Sequence, residues 1–200
     1  MYWIPGLIFK DQTVAVLASG PSMSREVADS TRAMPRIAIN TTYQLARDAD
    51  IFYGADALWW REYEDDLRDL PGLKVSIESN RGVHPNCPDF VKVMRWGGSS
   101  GFDDRPGYMR SGTNSGCQAV HLAASLGAKK IMMFGFDMQG LHWHGEHPLP
   151  LANPNDHAHR RFIKQFALLA PELERRGIEV VNCTPGSALE CFNKTDFAEA

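Results

Sequence analysis

The stretch TVAVLASGPSM, residues 13–23, begins with a strand-length apolar run and ends in a turn of glycine, proline and hydroxyl side chains. Such a run, followed by a helix from about residue 24, is typical of a buried strand in an α/β sheet. The turn consists of Ser19, Gly20, Pro21 and Ser22. Gly20 allows a ligand to approach the backbone, and the free amides of a helix N-terminus attract anions. The turn is therefore a candidate phosphate site, with a serine helix cap as the alternative.

Outward from this stretch, apolar runs of strand length alternate with helix-length patterns. The expected strands are Thr13–Ser19, Arg36–Asn40, Ile51–Ala55, Leu73–Ile77, Lys130–Phe136 and Glu179–Cys183. The last two are almost continuously apolar, as strands buried on both faces are. The alternation predicts an α/β fold with a mostly parallel sheet and helices on both faces.

Two long helices are predicted late in the chain. The first follows SGTNSG, residues 111–116, and should end at a glycine cap, Gly127. The second runs from about Asp156 to Arg176, with phenylalanine and leucine side chains on one face. Pro171 lies inside this second helix and is expected to kink it or to split it in two.

Two segments fit neither helical nor strand periodicity, about 81–109 and about 139–155. Loops of this length in a compact domain are commonly lids or binding loops. A chain of 200 residues with 44% hydrophobic content is long enough for one α/β domain with a buried core. We therefore expect a single nucleotide-binding domain, residues 1–200, with two loop insertions.

Composition narrows the classes of partner. The formal net charge of -3 gives no electrostatic reason to expect a nucleic-acid groove. No apolar stretch approaches the roughly 20 residues of a membrane span, and MYWIPGLIFKDQ lacks the features of a signal peptide. The four cysteines form no CxxC pair, which disfavours a disulfide framework or a zinc knuckle. We expect a cytoplasmic protein that binds a small molecule, and a homo-oligomer is compatible with the sequence.

Polar residues follow the expected strands at the point where each strand ends. Asn40 follows the second strand and Asp56 the third. Ligands of open α/β sheets bind outside the carboxyl ends of the strands, where these side chains should converge with the first turn. A second candidate anion site opens the first long helix, where hydroxyl, amide and glycine residues lie at a helix N-terminus. Its residues are Thr113, Asn114, Ser115 and Gly116. For each of these positions the alternative is a local turn or a helix cap.

Five of the seven histidines lie between residues 142 and 159. Histidine titrates near neutral pH and serves as a general base or a metal ligand. The stretch HWHGEH could chelate a divalent metal, but HxH in a loop is a weak motif and no HExxH helix is present, so no metal site is assigned. The remaining interpretation is a solvated loop in which histidines are tolerated.

Four segments in order resemble a superfamily with two characterised branches. They are ASGPSM, IAINTTYQLARDADIFYGAD, SGTNSGCQAVHLAASLGAKKIMMFGFDM and VVNCTPGSALECF. One branch is the bacterial family 42 sialyltransferases, and the other is the archaeal 6-hydroxymethylpterin diphosphokinase-like proteins. Short phage-encoded proteins of unassigned role are similar in layout. The resemblance covers most of the chain, from Thr13 to Phe192.

The sialyltransferase resemblance implies a Rossmann-like fold that binds a cytidine nucleotide sugar without a metal. It assigns nucleotide contacts to Gly20, Pro21, Ser22 and Asn40, and donor contacts to Thr113, Asn114, Ser115 and Gly116. The counterparts of the family's catalytic histidine are His157 and His159. The HWHGEHP stretch is not part of that family's pattern, and its tyrosine pair has no clear match here. The diphosphokinase resemblance implies ATP and Mg²⁺ instead, with Asp56 and Asp137 as metal contacts.

These observations predict a glycosyltransferase-like enzyme that uses a nucleotide-activated donor, possibly CMP-linked. Ser19–Ser22 and Ser111–Gly116 would hold the phosphates, and Asn40 and Asp56 would orient the ribose or the base. A loop histidine, His144, His157 or His159, would remove the proton of the acceptor hydroxyl. The alternatives are a diphosphokinase that depends on Mg²⁺ and ATP, and a nucleotide-binding protein without catalysis.

Overall fold

A sheet of nine strands, each paired in parallel with its neighbours, forms the centre of the protein in the computed structural model, which describes residues 1–195. The strands are β1 (Thr13–Leu17), β2 (Arg36–Ile39), β3 (Ile51–Tyr53), β4 (Leu73–Ile77), β5 (Lys92–Trp96), β6 (Tyr108–Met109), β7 (Lys130–Phe134), β8 (Glu179–Asn182) and β9 (Asn193–Lys194). The helices are α1 (Arg25–Ser30), α2 (Ala57–Glu62), α3 (Glu64–Arg68), α4 (Ser115–Ser125) and α5 (Asp156–Arg175), with a 3-10 helix at Asn40–Gln44.

The strand order across the sheet is β6-β5-β4-β3-β2-β1-β7-β8-β9. From β1 the chain adds strands in one direction as far as β6, then returns to place β7 on the other side of β1. Such a reversal leaves a crevice at the carboxyl ends of the two central strands, where open α/β sheets bind their ligands. The topology therefore locates the candidate site beside β1 and β7.

Side chains of β1 alternate between two hydrophobic cores, one on each face of the sheet. Val14 and Val16 pack in the core that includes α4 and α5. Ala15 and Leu17 pack in the core that includes α1, α2 and α3. This alternation follows from the two-residue period of a strand. The prediction of an α/β, Rossmann-like fold with helices on both faces is confirmed.

The elements differ from the sequence-based expectation at three strands, β5, β6 and the two-residue β9, and in the helix α5. The segment 81–109, expected to be a loop insertion, contains β5 and β6, which extend the sheet at one edge. These strands are short, and prolines and glycines around them obscure their periodicity. The long helix α5 is not split at Pro171 but continues through it to Arg175. Pro171 and Ala167 are both exposed, so water can satisfy the carbonyl that the proline leaves without a donor.

A buried histidine on α4 holds the loop between β5 and β6. The backbone N–H of Asp103 donates to Nε2 of His121 over 3.0 Å, and the Phe102 ring stacks on the imidazole with centroids 4.1 Å apart. Nδ1 therefore carries the proton and faces the Ser125 hydroxyl at 3.2 Å. Burial lowers the pKa of His121 from 6.5 to about 3.

We expect His121 to make the protein sensitive to acid. Below pH 6.5 the unfolded chain binds a proton at this residue and the folded chain does not, so the free energy of unfolding falls as the pH drops from 6.5 towards 3. His121→Gln keeps an acceptor for the Asp103 amide but does not titrate. Urea unfolding from pH 7 to pH 4 should show a shallower loss of stability in this variant, and a loss parallel to that of the wild type would contradict the assignment.

Across residues 1–195, no helix combines the length and the apolar character that crossing a membrane requires.

Candidate functional site

A cavity of about 440 Å³ opens at the carboxyl ends of β1, β2, β3 and β7. Its volume lies in the range typical of small-molecule sites. The residues that follow each strand form one wall, the first turn of α4 forms a second, and the loop 139–155 with the start of α5 forms the third. The cavity therefore occupies the crevice that the strand order predicts.

Nine of the residues that the sequence assigns to a site line this cavity. They are Ser19, Gly20, Asn40, Asp56, Thr113, Asn114, Ser115, Gly116 and His159. Four others do not belong to its lining, namely Pro21, Ser22, His144 and His157. Residues that are distant in sequence, the turn after β1 and the start of α4, thus meet at one edge of the sheet.

The turn after β1 offers fewer free amides than expected, because two of its three backbone N–H groups already donate within the protein. The Ser22 hydroxyl donates to Oδ2 of Asp137 over 2.8 Å, and the Ser22 amide donates to Oδ1 over 3.2 Å. The Gly20 amide donates to the carbonyl of Gly135 over 2.9 Å. Asp137 is 5% exposed, and burial raises the pKa of its carboxyl while the bonds from Ser22 oppose that rise. The carboxyl of Asp137 thus occupies the two donors of Ser22 that the sequence offers to a phosphate.

The first turn of α4 is open to a ligand. Asn114 caps the helix, because its Oδ1 accepts from the Cys117 amide over 2.7 Å. Within residues 1–195, the amides of Ser115 and Gly116 donate to no acceptor, as expected for the first positions of a helix. Both residues line the cavity. The anion site predicted at this corner is compatible with the geometry.

Three residues with left-handed backbone conformation surround the cavity. Asn40 has a φ of 47°, Thr113 of 57° and Met138 of 56°, and all three line the cavity. This conformation costs on the order of 1–2 kcal/mol for a residue with a Cβ, most for a β-branched one such as Thr113. Strained backbone of this kind concentrates at binding and catalytic sites.

The start of α5 brings one histidine into the cavity and leaves another outside it. His159 is half-buried, with its Nδ1 shielded from water and without a hydrogen-bond partner within residues 1–195. Burial lowers the pKa of His159, so its neutral form, the form that accepts a proton, predominates at neutral pH. His157 is exposed, two residues earlier on the helix. Of the two counterparts that the resemblance offers, His159 has the geometry of a base.

Three other histidines of the loop 139–155 converge. The ring centroids of His142, His144 and His147 lie 4.7–5.1 Å apart, and one ring nitrogen of each lies within 4.8 Å of those of the other two. His142 and His147 line the cavity. Burial is the main cause that lowers the pKa of each, to about 4 for His142 and His144. At neutral pH this cluster is a group of uncharged imidazoles.

Two features of the site were missed by sequence reasoning. Arg161, on α5, lines the cavity and brings a positively charged side chain to its wall. Its spacing of two residues from His159 gave no signal, because side chains two positions apart on a helix do not share a face. The contact between Asp137 and Ser22 carried no signal either, since 115 positions separate the two residues.

No protein-family model, no curated protein and no solved structure matches this chain.

Proposed function

We propose that the protein is a glycosyltransferase-like enzyme that transfers a sugar from a nucleoside monophosphate donor to a hydroxyl acceptor. The observation that carries the proposal is the placement of two free helix amides and a half-buried imidazole in one cavity. Ser115 and Gly116 supply the amides, and His159 supplies the imidazole. Transfer from a phosphate leaving group requires donors that stabilise the phosphate and a neutral base that accepts the proton of the acceptor, and this cavity contains both.

In this reaction the acceptor O–H gives its proton to His159, and the acceptor oxygen forms a bond to the anomeric carbon of the sugar. The bond between that carbon and the phosphate oxygen breaks, and its electron pair leaves with the phosphate. The amides of Ser115 and Gly116 stabilise the charge that develops on the leaving phosphate. The loop 139–155 covers this edge of the sheet and limits the access of water to the donor.

The contact between Asp137 and the turn after β1 favours a donor with a single phosphate. Asp137 already accepts the hydrogen bonds of Ser22, so the amide and the hydroxyl of Ser22 are not available to a second phosphate. Only the α4 corner remains for an anion among the two corners that the sequence singles out. Cytidine as the base rests on the sequence resemblance, and the single phosphate rests on this contact.

Isothermal titration of metal-depleted protein with CMP, CDP, CTP, ATP and GTP, each with and without Mg²⁺, tests the proposal. We expect CMP to bind without Mg²⁺, and CDP to bind no more tightly than CMP. Binding of ATP that requires Mg²⁺ would favour the diphosphokinase instead. Binding without turnover of any donor, unaffected by His159→Ala, would favour a non-catalytic nucleotide-binding protein.

A further inference from the structure

We propose that His142, His144 and His147 form a binding site for a transition-metal ion of the zinc class in the wall of the cavity. The sequence alone assigns no metal, and the proposed transfer reaction does not require one. The inference rests on the convergence of three imidazoles within one short loop. It concerns a separate property of the protein and can be tested without a nucleotide.

The distances suit a metal after small side-chain adjustments. The three candidate nitrogens lie within 4.8 Å of one another. A tetrahedral ion with Zn–N bonds of about 2.05 Å holds its ligands about 3.4 Å apart. Ring rotations about the side-chain torsions close this difference, because His142 and His144 are only half-buried.

Two of the rings present nitrogens that have no partner in the described part of the chain. Nε2 of His144 and Nδ1 of His147 are both shielded from solvent and accept no hydrogen bond. His147 is 9% exposed. Buried polar atoms are nearly always satisfied, and a metal ion bound by the three histidines would satisfy these two nitrogens.

The backbone of the loop holds the rings in this arrangement. The Trp143 amide donates to the carbonyl of Ser19 over 3.0 Å, and the His147 amide donates to Oδ1 of Asn153 over 2.7 Å. A turn closed by the Gly145 amide on the His142 carbonyl, 2.9 Å, brings the ends of the motif together. The loop is therefore attached to the turn after β1 and folded on itself.

Ser19 supplies the outer contact that metal-binding histidines usually have. Its Oγ lies 3.0 Å from Nδ1 of His142. A hydroxyl that accepts from Nδ1–H leaves Nε2 without a proton and available to a metal. This contact orients the ring and gives Ser19 a positioning role.

The donor set selects the class of ion. Imidazole nitrogen suits Zn²⁺, Cu²⁺, Ni²⁺ and Fe²⁺, whereas Mg²⁺ and Ca²⁺ prefer oxygen. Three protein ligands leave one position of a tetrahedral ion open, as in catalytic zinc sites. Since His142 and His147 line the cavity, that position faces it and can take water or an oxygen of a bound ligand.

The test is titration of tag-free, chelator-treated protein with Zn²⁺ and, separately, with Co²⁺. We expect one equivalent of Zn²⁺ to bind and to raise the melting temperature, and Co²⁺ to give the visible absorption of a tetrahedral complex. His144→Ala should weaken Zn²⁺ binding by more than about 100-fold, because loss of even an outer contact costs about 10–100-fold. Ser19→Ala should weaken it by about 10–100-fold. His157→Ala, which removes an exposed imidazole outside the cluster, is the matched control.

Binding that is absent, or that survives His144→Ala and His147→Gln unchanged, would overturn the proposal. Equal weakening by His157→Ala would mean adventitious surface binding and would also overturn it. Circular dichroism of each ligand-free variant separates loss of a ligand from loss of the fold. Because no nucleotide is present, failure here leaves the proposed transfer reaction standing, and failure of the nucleotide titration leaves the metal site standing.

Discussion

His159→Ala is expected to lower the rate of sugar transfer by about 10²–10⁴-fold, the usual contribution of a positioned general base. The affinity for the nucleotide should change little, because the phosphate contacts the amides of α4 and not the imidazole. The measurement is release of nucleoside monophosphate in a single turnover, with the donor that the titration identifies. Since burial lowers the pKa of His159, the wild-type rate should persist as the pH falls below 6.5, until the imidazole binds a proton.

His157→Ala is the matched control for this prediction. It removes an imidazole from the same turn of α5, but one that lies outside the cavity. Its rate should remain close to that of the wild type. A large loss in His157→Ala together with an intact rate in His159→Ala would reverse the assignment, and equal losses in both would indicate a general effect on the start of α5.

Gly20→Ala is expected to destabilise the protein by about 3 kcal/mol, at the upper end of the range for overpacking. A Cβ at this position would lie 2.0 Å from Oδ2 of Asp137 and 2.4 Å from the Gly135 carbonyl. Neither atom can retreat easily, because Asp137 is bound to Ser22 and Gly135 belongs to the backbone that follows β7. Thermal unfolding should show a lower midpoint, by about 6–12 °C for a chain of this size.

Gly6→Ala is the corresponding control. A Cβ at Gly6 would meet no atom within 4 Å, so this variant should melt close to the wild type. A Gly20→Ala protein that melts with the control would show that the turn and Asp137 can separate freely. In that case the turn could still accept a phosphate, and a donor with two phosphates would fit the cavity as well as one with a single phosphate.

The strands could be predicted from sequence because each buries both faces, which leaves continuous apolar runs. Their carboxyl ends were placed up to two residues too late, as at β7, because Gly135 and Phe136 continue the apolar run after pairing has ended. The strands β5, β6 and β9 could not be predicted, for the opposite reason. β6 and β9 have two residues each and β5 is half-exposed, so none of them has a pattern that separates it from a loop.

The position of the candidate site could be predicted from the sequence, but the contacts within it only in part. Ser19, Asn40 and Asp56 follow strands, and parallel strands bring their carboxyl ends to one edge, so convergence there follows from the fold class. The hydrogen bonds of Asp137 depend on the exact approach of two distant segments, which no local pattern encodes. The histidine cluster could be predicted in part. The HxH spacing brings His142 and His144 together, but the third ring, that of His147, joins them only because the chain turns at Gly145.

The left-handed residues around the cavity have a consequence for how a small molecule would associate with it. Asn40, Thr113 and Met138 have their unfavourable backbone conformation as part of the folded chain. The conformational cost is therefore met during folding and is not deducted from the affinity. The backbone around the cavity is therefore pre-organised, and we expect a small molecule to bind there with little rearrangement of these three residues.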